Sequence, residues 1–132
     1  MFKAIPFVPE EHYELVTSWW KAHKWPVIPP LEALPPTGVV VTYEDKPVAM
    51  AWLYKTDGLA TWLHFLVSDR YALRGIRGKA VDHVINTCEM ISKEFGYKTM
   101  WACTQLKRSM KRYEDLGFVK ADENTTHFVK GL

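Results

Sequence analysis

The reading of the chain turns on two adjoining stretches. The first is Leu59-Ala60-Thr61-Trp62-Leu63-His64-Phe65-Leu66-Val67; the second is Arg74-Gly75-Ile76-Arg77-Gly78-Lys79-Ala80. The first is rich in aromatic and aliphatic residues and reads as a strand. The second is a Gly/Arg-rich turn within a loop over residues 68–77, and it opens an amphipathic run. Val81, Val84, Ile85, Cys88, Ile91 and Phe95 form one apolar stripe at helical spacing, and Gly96 stops it. Residues 98–104 then read as a further strand. A strand, a helix and a strand in this order favour parallel pairing through a crossover. The start of the helix is also a natural anion site. Its first N–H groups have no intrahelical acceptor, and the helix dipole adds positive potential.

Upstream, residues 38–43 and 48–55 are strand candidates, separated by the turn Glu44-Asp45-Lys46-Pro47. Thr56-Asp57-Gly58 carries an Asp-Gly hairpin signal before the strand at residue 59. Three strands joined by tight turns make an antiparallel meander. Residues 2–8 read as an edge strand. Pro9, Glu10 and Glu11 suit a helix N-terminus, and His12, Leu15, Val16, Trp19, Trp20 and His23 recur at helical spacing. Pro26, Pro29, Pro30, Pro35 and Pro36 forbid regular helix over residues 24–37. That segment is expected to be an ordered loop anchored by Trp25, Ile28, Leu31 and Leu34. Downstream, Leu106, Met110, Tyr113 and Leu116 mark a shorter helix ended by Gly117, and short strands are expected near residues 118–121 and 126–130.

The expected fold is α/β: a mixed, mostly antiparallel central sheet with helices on both faces, in one domain spanning residues 1–132. That length suits one core, and 48% hydrophobic with 24% charged residues is a globular balance. No apolar run reaches the ~18 residues of a membrane span. The net charge of +2 is too small to imply nucleic acid. Cys88 and Cys103 fit no CxxC or Cys/His spacing and read as reduced core thiols, which places the chain in the cytoplasm and leaves no metal set.

In element order, and through motifs within residues 62–118, the chain resembles the Gcn5-related N-acetyltransferases, the GNAT family. That family carries Gln/Arg-x-x-Gly-x-Gly/Ala after a strand ending in an aliphatic pair. Here Phe65-Leu66-Val67 ends the strand, and Gly78 and Ala80 take the last two motif positions. Gly75 stands at the Gln/Arg position with Arg74 beside it. The family's Tyr-x-x-x-Gly-Phe is met by Tyr113, Gly117 and Phe118, while Leu106 replaces an asparagine common in the family.

The resemblance implies acetyl-CoA as cofactor and direct acetyl transfer to a small-molecule or peptide amine. The backbone of Phe65, Leu66 and Val67 would pair with the pantetheine arm. The turn over Arg74, Gly75, Ile76, Arg77, Gly78, Lys79 and Ala80 would wrap the pyrophosphate, its three basic side chains adding charge-assisted contacts. Tyr113 would protonate the departing thiolate; a phenol near pKa ~10 is matched to a thiol near ~8.5.

No general base stands out. Alternation along the strand sets His64 opposite Phe65 and Leu63, as a core histidine. His12, His23 and Glu32 lie where the fold would wall the acceptor site, beside Trp19, Trp20 and Trp25. Lys107, Arg108, Lys111 and Arg112 form a solvated basic face, open to the cofactor's 3′-phosphate. The implied partners are the amine and, at most, a second copy of the chain, with no membrane. Two other readings stay open: a catalytically silent acyl-CoA-binding or regulatory module of the same fold, and a small nucleic-acid-binding domain using the basic face.

Overall fold

The computed structural model describes all of residues 1–132, which divide into two compact units, Met1–Ala102 and Cys103–Leu132. In the first unit β1 (Phe2–Pro6), β2 (Gly38–Tyr43), β3 (Lys46–Lys55), β4 (Ala60–Ser68) and β5 (Thr99–Ala102) form one sheet in the order β1-β2-β3-β4-β5. The first four strands are antiparallel neighbours and β5 runs parallel to β4. The β2–β3 turn is only Glu44-Asp45, both residues at positive φ, the conformation that matches the twist of a two-residue hairpin.

Two helices cover the sheet. On α1 (Pro9–Ala22), Val16, Trp19 and Trp20 pack on Val40, Met50, Trp52 and Val67. The longer α2 (Arg74–Glu94) buries Ala80, Val84, Ile85 and Cys88. Its Ser92 Oγ meets Thr61 Oγ1 at 2.8 Å, on the side of β4 away from Trp62 and Trp52. Phe95, expected on that stripe, is instead 63% exposed beneath the Lys55 ammonium, 3.8 Å from the ring centroid. Gly38 is required by close approach. A Cβ there would lie 2.6 Å from Trp52 Nε1 and 2.7 Å from the Phe7 Cβ.

The proline-rich segment after α1 is pinned at several points. Trp25, Ile28 and Leu34 pack on the α1 core, whereas Leu31 turns outward on a short 3-10 turn, Leu31–Ala33. The Tyr13 hydroxyl donates to the Pro29 carbonyl at 3.0 Å, and the Tyr54 hydroxyl donates to the Ala33 carbonyl at 2.5 Å.

The second unit holds one helix, α3 (Lys107–Asp115), and no strand. Residues 118–121 and 126–130, expected as strands, are irregular. Val119, Phe128 and Val129 are each more than 85% exposed, so neither stretch buries the apolar face that holds a strand, and a lone two-stranded ribbon is marginal in water. Cys103, expected in a core, is exposed, whereas Cys88 is fully buried.

Candidate functional site

β4 is built in two halves. Residues 61–63 pair with β3 on one side and β5 on the other, Ala60 pairs with β5, and the last β5 pair is Leu63 with Ala102. Beyond that point β5 has ended, and residues 64–68 have a strand partner only in β3. In this second half Trp52 faces His64 and Met50 faces Val67, so positions two apart on β3 meet positions three apart on β4. The extra residue is a β-bulge. Phe65 carries its strain at φ 59°, a left-handed conformation that a bulky side chain rarely adopts.

The bulge overturns the expected alternation. His64 and Phe65 lie on the same face, with ring centroids 5.5 Å apart, and Leu63 points the other way. Phe65 reaches Trp20 at 6.3 Å and Trp52 at 6.4 Å, and Val67 returns to the α1 side to join the core. A clue lay in the sequence: three consecutive apolar residues, Phe65, Leu66 and Val67, break the period of two.

Side chains from α1 and its C-cap hold the bulged half. Trp20 Nε1–H donates to the Phe65 carbonyl at 3.4 Å, and the His23 Nε2 donates to the Ser68 carbonyl at 2.8 Å. His12 is buried, and its Nδ1 accepts the Val8 N–H at 2.9 Å, at the start of α1. The histidines considered as bases at the acceptor wall therefore have structural bonds. Glu32 is exposed on the 3-10 turn.

The Gly/Arg segment is not a loop before the helix. α2 begins at Arg74, so Arg74, Gly75, Ile76 and Arg77 are its first turn, and the connecting loop is residues 69–73. Arginine and isoleucine tolerate helix, and Gly75 is neither at positive φ nor crowded. No side chain caps this terminus. The Arg77 N–H bonds the Leu73 carbonyl at 2.8 Å, which leaves the N–H groups of Arg74, Gly75 and Ile76 without helical acceptors. Gly75 and Gly78, three apart, leave one side of the first turn low. Arg74 and Lys79 are exposed, whereas Ala80 is fully buried and lets α2 seat closely on the sheet. Arg77 is partly committed elsewhere: its Nη1 donates to the Arg70 carbonyl at 3.0 Å, and Arg70 in turn donates to the Ala22 carbonyl at 2.9 Å.

In the second unit, Tyr113 is half-buried on α3. Gly117 sits at φ 96°, its N–H bonding the Glu114 carbonyl, while the Phe118 N–H bonds the Tyr113 carbonyl at 2.9 Å. The two rings meet edge to face at 5.0 Å. This is a Schellman stop with its hydrophobic contact, so the Tyr-x-x-x-Gly-Phe spacing is at least the signature of a helix end. On the basic face, Lys111 pairs with Asp115 at 3.3 Å.

A bulged strand with one unpartnered edge, followed by an uncapped helix start, sets this fold apart from a generic α/β sheet. The sequence model of the acetyltransferase (GNAT) family matches residues 4–118, and the chain belongs to that family. A search of the curated proteins finds no match.

Solved structures share the fold. An acetyltransferase from Trypanosoma brucei superposes with a TM-score of 0.71 at 15% identity, covering 98% of this chain and 100% of that one. Glucosamine-6-phosphate N-acetyltransferase from Arabidopsis thaliana gives 0.69 at 13% identity, covering 98% and 99%. A transcriptional regulator from Bacillus halodurans gives 0.71 at 15%, covering 97% and 100%. At these identities the likeness concerns the fold alone. No helix is long and apolar enough to cross a membrane.

Proposed function

We propose that the chain is an acetyl-CoA-dependent N-acetyltransferase that delivers the acetyl group directly to an amine. The observation that carries this reading is the half of β4 that has one free edge, followed by an uncapped helix start. The residues present fit the cofactor. The free strand edge at Phe65, Leu66 and Val67 offers backbone groups for an amide-bearing arm. The N–H groups of Arg74, Gly75 and Ile76 offer donors to a pyrophosphate, with the helix dipole behind them. Gly75 and Gly78 let phosphate oxygens come close, and Arg74 and Lys79 add charge.

Bound acetyl-CoA would supply the acetyl group as an activated thioester. The chain's part is to hold both reactants at one place, which by itself removes much of the barrier. The Tyr113 hydroxyl is assigned the proton delivered to the leaving thiolate. The silent acyl-CoA-binding module is the second reading. It is favoured by the structural bonds of His12 and His23, which remove two of the three candidate bases at the acceptor wall.

The test is calorimetry with coenzyme A. The parent protein should bind it, and Gly78→Glu should weaken binding by at least ~10-fold, because a carboxylate then stands on the approach to the helix start and lost charge-assisted bonds are worth ~1.5–3 kcal/mol each. Equal binding by both proteins would displace the site from this helix.

A further inference from the structure

Besides its core aromatics, the α1 side of the sheet carries a second group of rings that the core does not use. Trp62 and Trp101 face each other across β4 and β5, stacked with centroids 5.3 Å apart and planes 27° from parallel. Tyr54 is opposite Trp62 on β3. His64 continues the row, 6.0 Å from the Trp62 ring and edge-on to Tyr54 at 5.2 Å. At the bulge the row meets Phe65, which packs on the core. The row thus runs from the outer strand β5 to the point where β4 loses its second partner.

These rings differ from the core aromatics in one respect. Trp20 and Trp52 are completely buried, whereas Trp62 and His64 are half-exposed and Trp101 is 39% exposed. A stacked tryptophan pair left this open to solvent is a recognition surface more than a packing one. The charge around them is equally informative. Strands β2, β3, β4 and β5 contain no aspartate or glutamate, and residues 24–37 contain only Glu32. An acceptor with several positive charges would find in these segments a single carboxylate, Glu32, to replace its water. An acceptor with one ammonium and a flat ring finds both stacking faces and the negative face of an aromatic system.

We propose that the row of Tyr54, Trp62, His64 and Trp101 is the acceptor subsite, and that it selects an amine carried on a flat aromatic body over polyamines and aminoglycosides. This rests on the acetyltransferase reading, since the row ends at the bulge to which that reading assigns the cofactor arm.

The full chain, saturated with coenzyme A, is titrated calorimetrically with tryptamine, spermidine and kanamycin. Tryptamine is expected to bind at least ~10-fold more tightly than either of the others. Trp101→Ala should weaken tryptamine at least ~10-fold with coenzyme A affinity and thermal unfolding unchanged, and Trp101→Phe should restore most of the loss. Tighter binding of spermidine or kanamycin, no binding of tryptamine, or a Trp101→Ala protein that binds tryptamine normally would each overturn the subsite. Thiol release from acetyl-CoA separates the two readings. Release with spermidine but not tryptamine keeps the acetyltransferase and removes the subsite. Tryptamine binding that survives a failure to bind coenzyme A keeps the aromatic site and removes the cofactor.

Discussion

The first and second halves of β4 are consecutive in sequence and opposite in design. Residues 61–63 are paired on both sides, alternate strictly, and bury Thr61 and Leu63 against the α2 side of the sheet. Residues 64–68 have one strand partner, a residue at φ 59°, and carbonyls bonded by side chains of α1. The first half is held by its own ladder, the second by groups brought from elsewhere. A strand edge that is rigid yet unpaired is what an extended ligand needs in order to add itself to a sheet. Under the proposed function, stability falls to one half and binding to the other.

A variant outside β4 sets the scale for the chemistry. Tyr113→Phe removes one hydroxyl and keeps the ring against Phe118. Turnover should fall by roughly 10²–10⁴ with coenzyme A affinity nearly unchanged, measured by thiol release once an acceptor is found. An unchanged rate per folded molecule would reduce Tyr113 to its part in the helix stop.

Next in size is Leu63→Ala, in the doubly paired half. Its side chain is 3% exposed, so truncation should cost about 2–5 kcal/mol in denaturant unfolding, with coenzyme A affinity unchanged in the folded fraction. A large affinity loss without a stability loss would erase the division between the halves.

Deleting Phe65 tests the other half. The deletion restores regular pairing, because Val67 stays opposite Met50 and Leu66 moves opposite Ala51. The ring contacts with Trp20 and Trp52 are lost, but so is the backbone strain of roughly 1–3 kcal/mol. The protein should therefore fold with a modest change in stability while coenzyme A binding weakens at least ~10-fold by calorimetry. A deletion variant that binds normally would show that the bulge serves packing alone.

The last effect, the smallest near neutral pH, is expected from pH. Burial pushes the Cys88 thiol up to about 12. A raised thiol stabilises the fold below its ordinary value of about 8.5, and that contribution is lost as pH rises from there towards 12. Alkaline unfolding followed by circular dichroism should lose stability over that window, and Cys88→Ser should flatten the loss. At pH 8, iodoacetamide should modify Cys103 first and reach Cys88 only on unfolding; reversal of that order would contradict the burial.

The meander, the edge strand, the parallel β4–β5 pair and the stops at Gly96 and Gly117 were legible because each is written in local chemistry. Alternating apolar residues, Asp-Gly, and glycine after an apolar stripe act over a few neighbours. What escaped was non-local or turned on a single residue. The bulge at Phe65 exists because Trp52 and Met50 on another strand fix the register. The start of α2 at Arg74 was obscured by two glycines that read as a turn but sit in ordinary helical backbone. Residues 118–132 have strand-like composition without a buried face, and composition cannot supply one. Of the candidate site, the Gly/Arg segment was singled out although its first residues were read as loop, whereas the row through Trp62 and Trp101 was missed because its members come from three strands.

The bonds from α1 to the bulged strand have a kinetic consequence. Trp20 and His23 lie in or beside the last turn of α1, and Arg70 fastens the loop before α2 to the carbonyl of Ala22 in that same turn. When that turn frays, the bulge and the loop lose their anchors together, so all three should open as one cooperative unit with a free energy below that of global unfolding. In amide hydrogen exchange, coenzyme A should then slow deuterium uptake at residues 19–23 as well as at residues 65–75. The protection would be inherited through the shared opening rather than through any contact with the ligand.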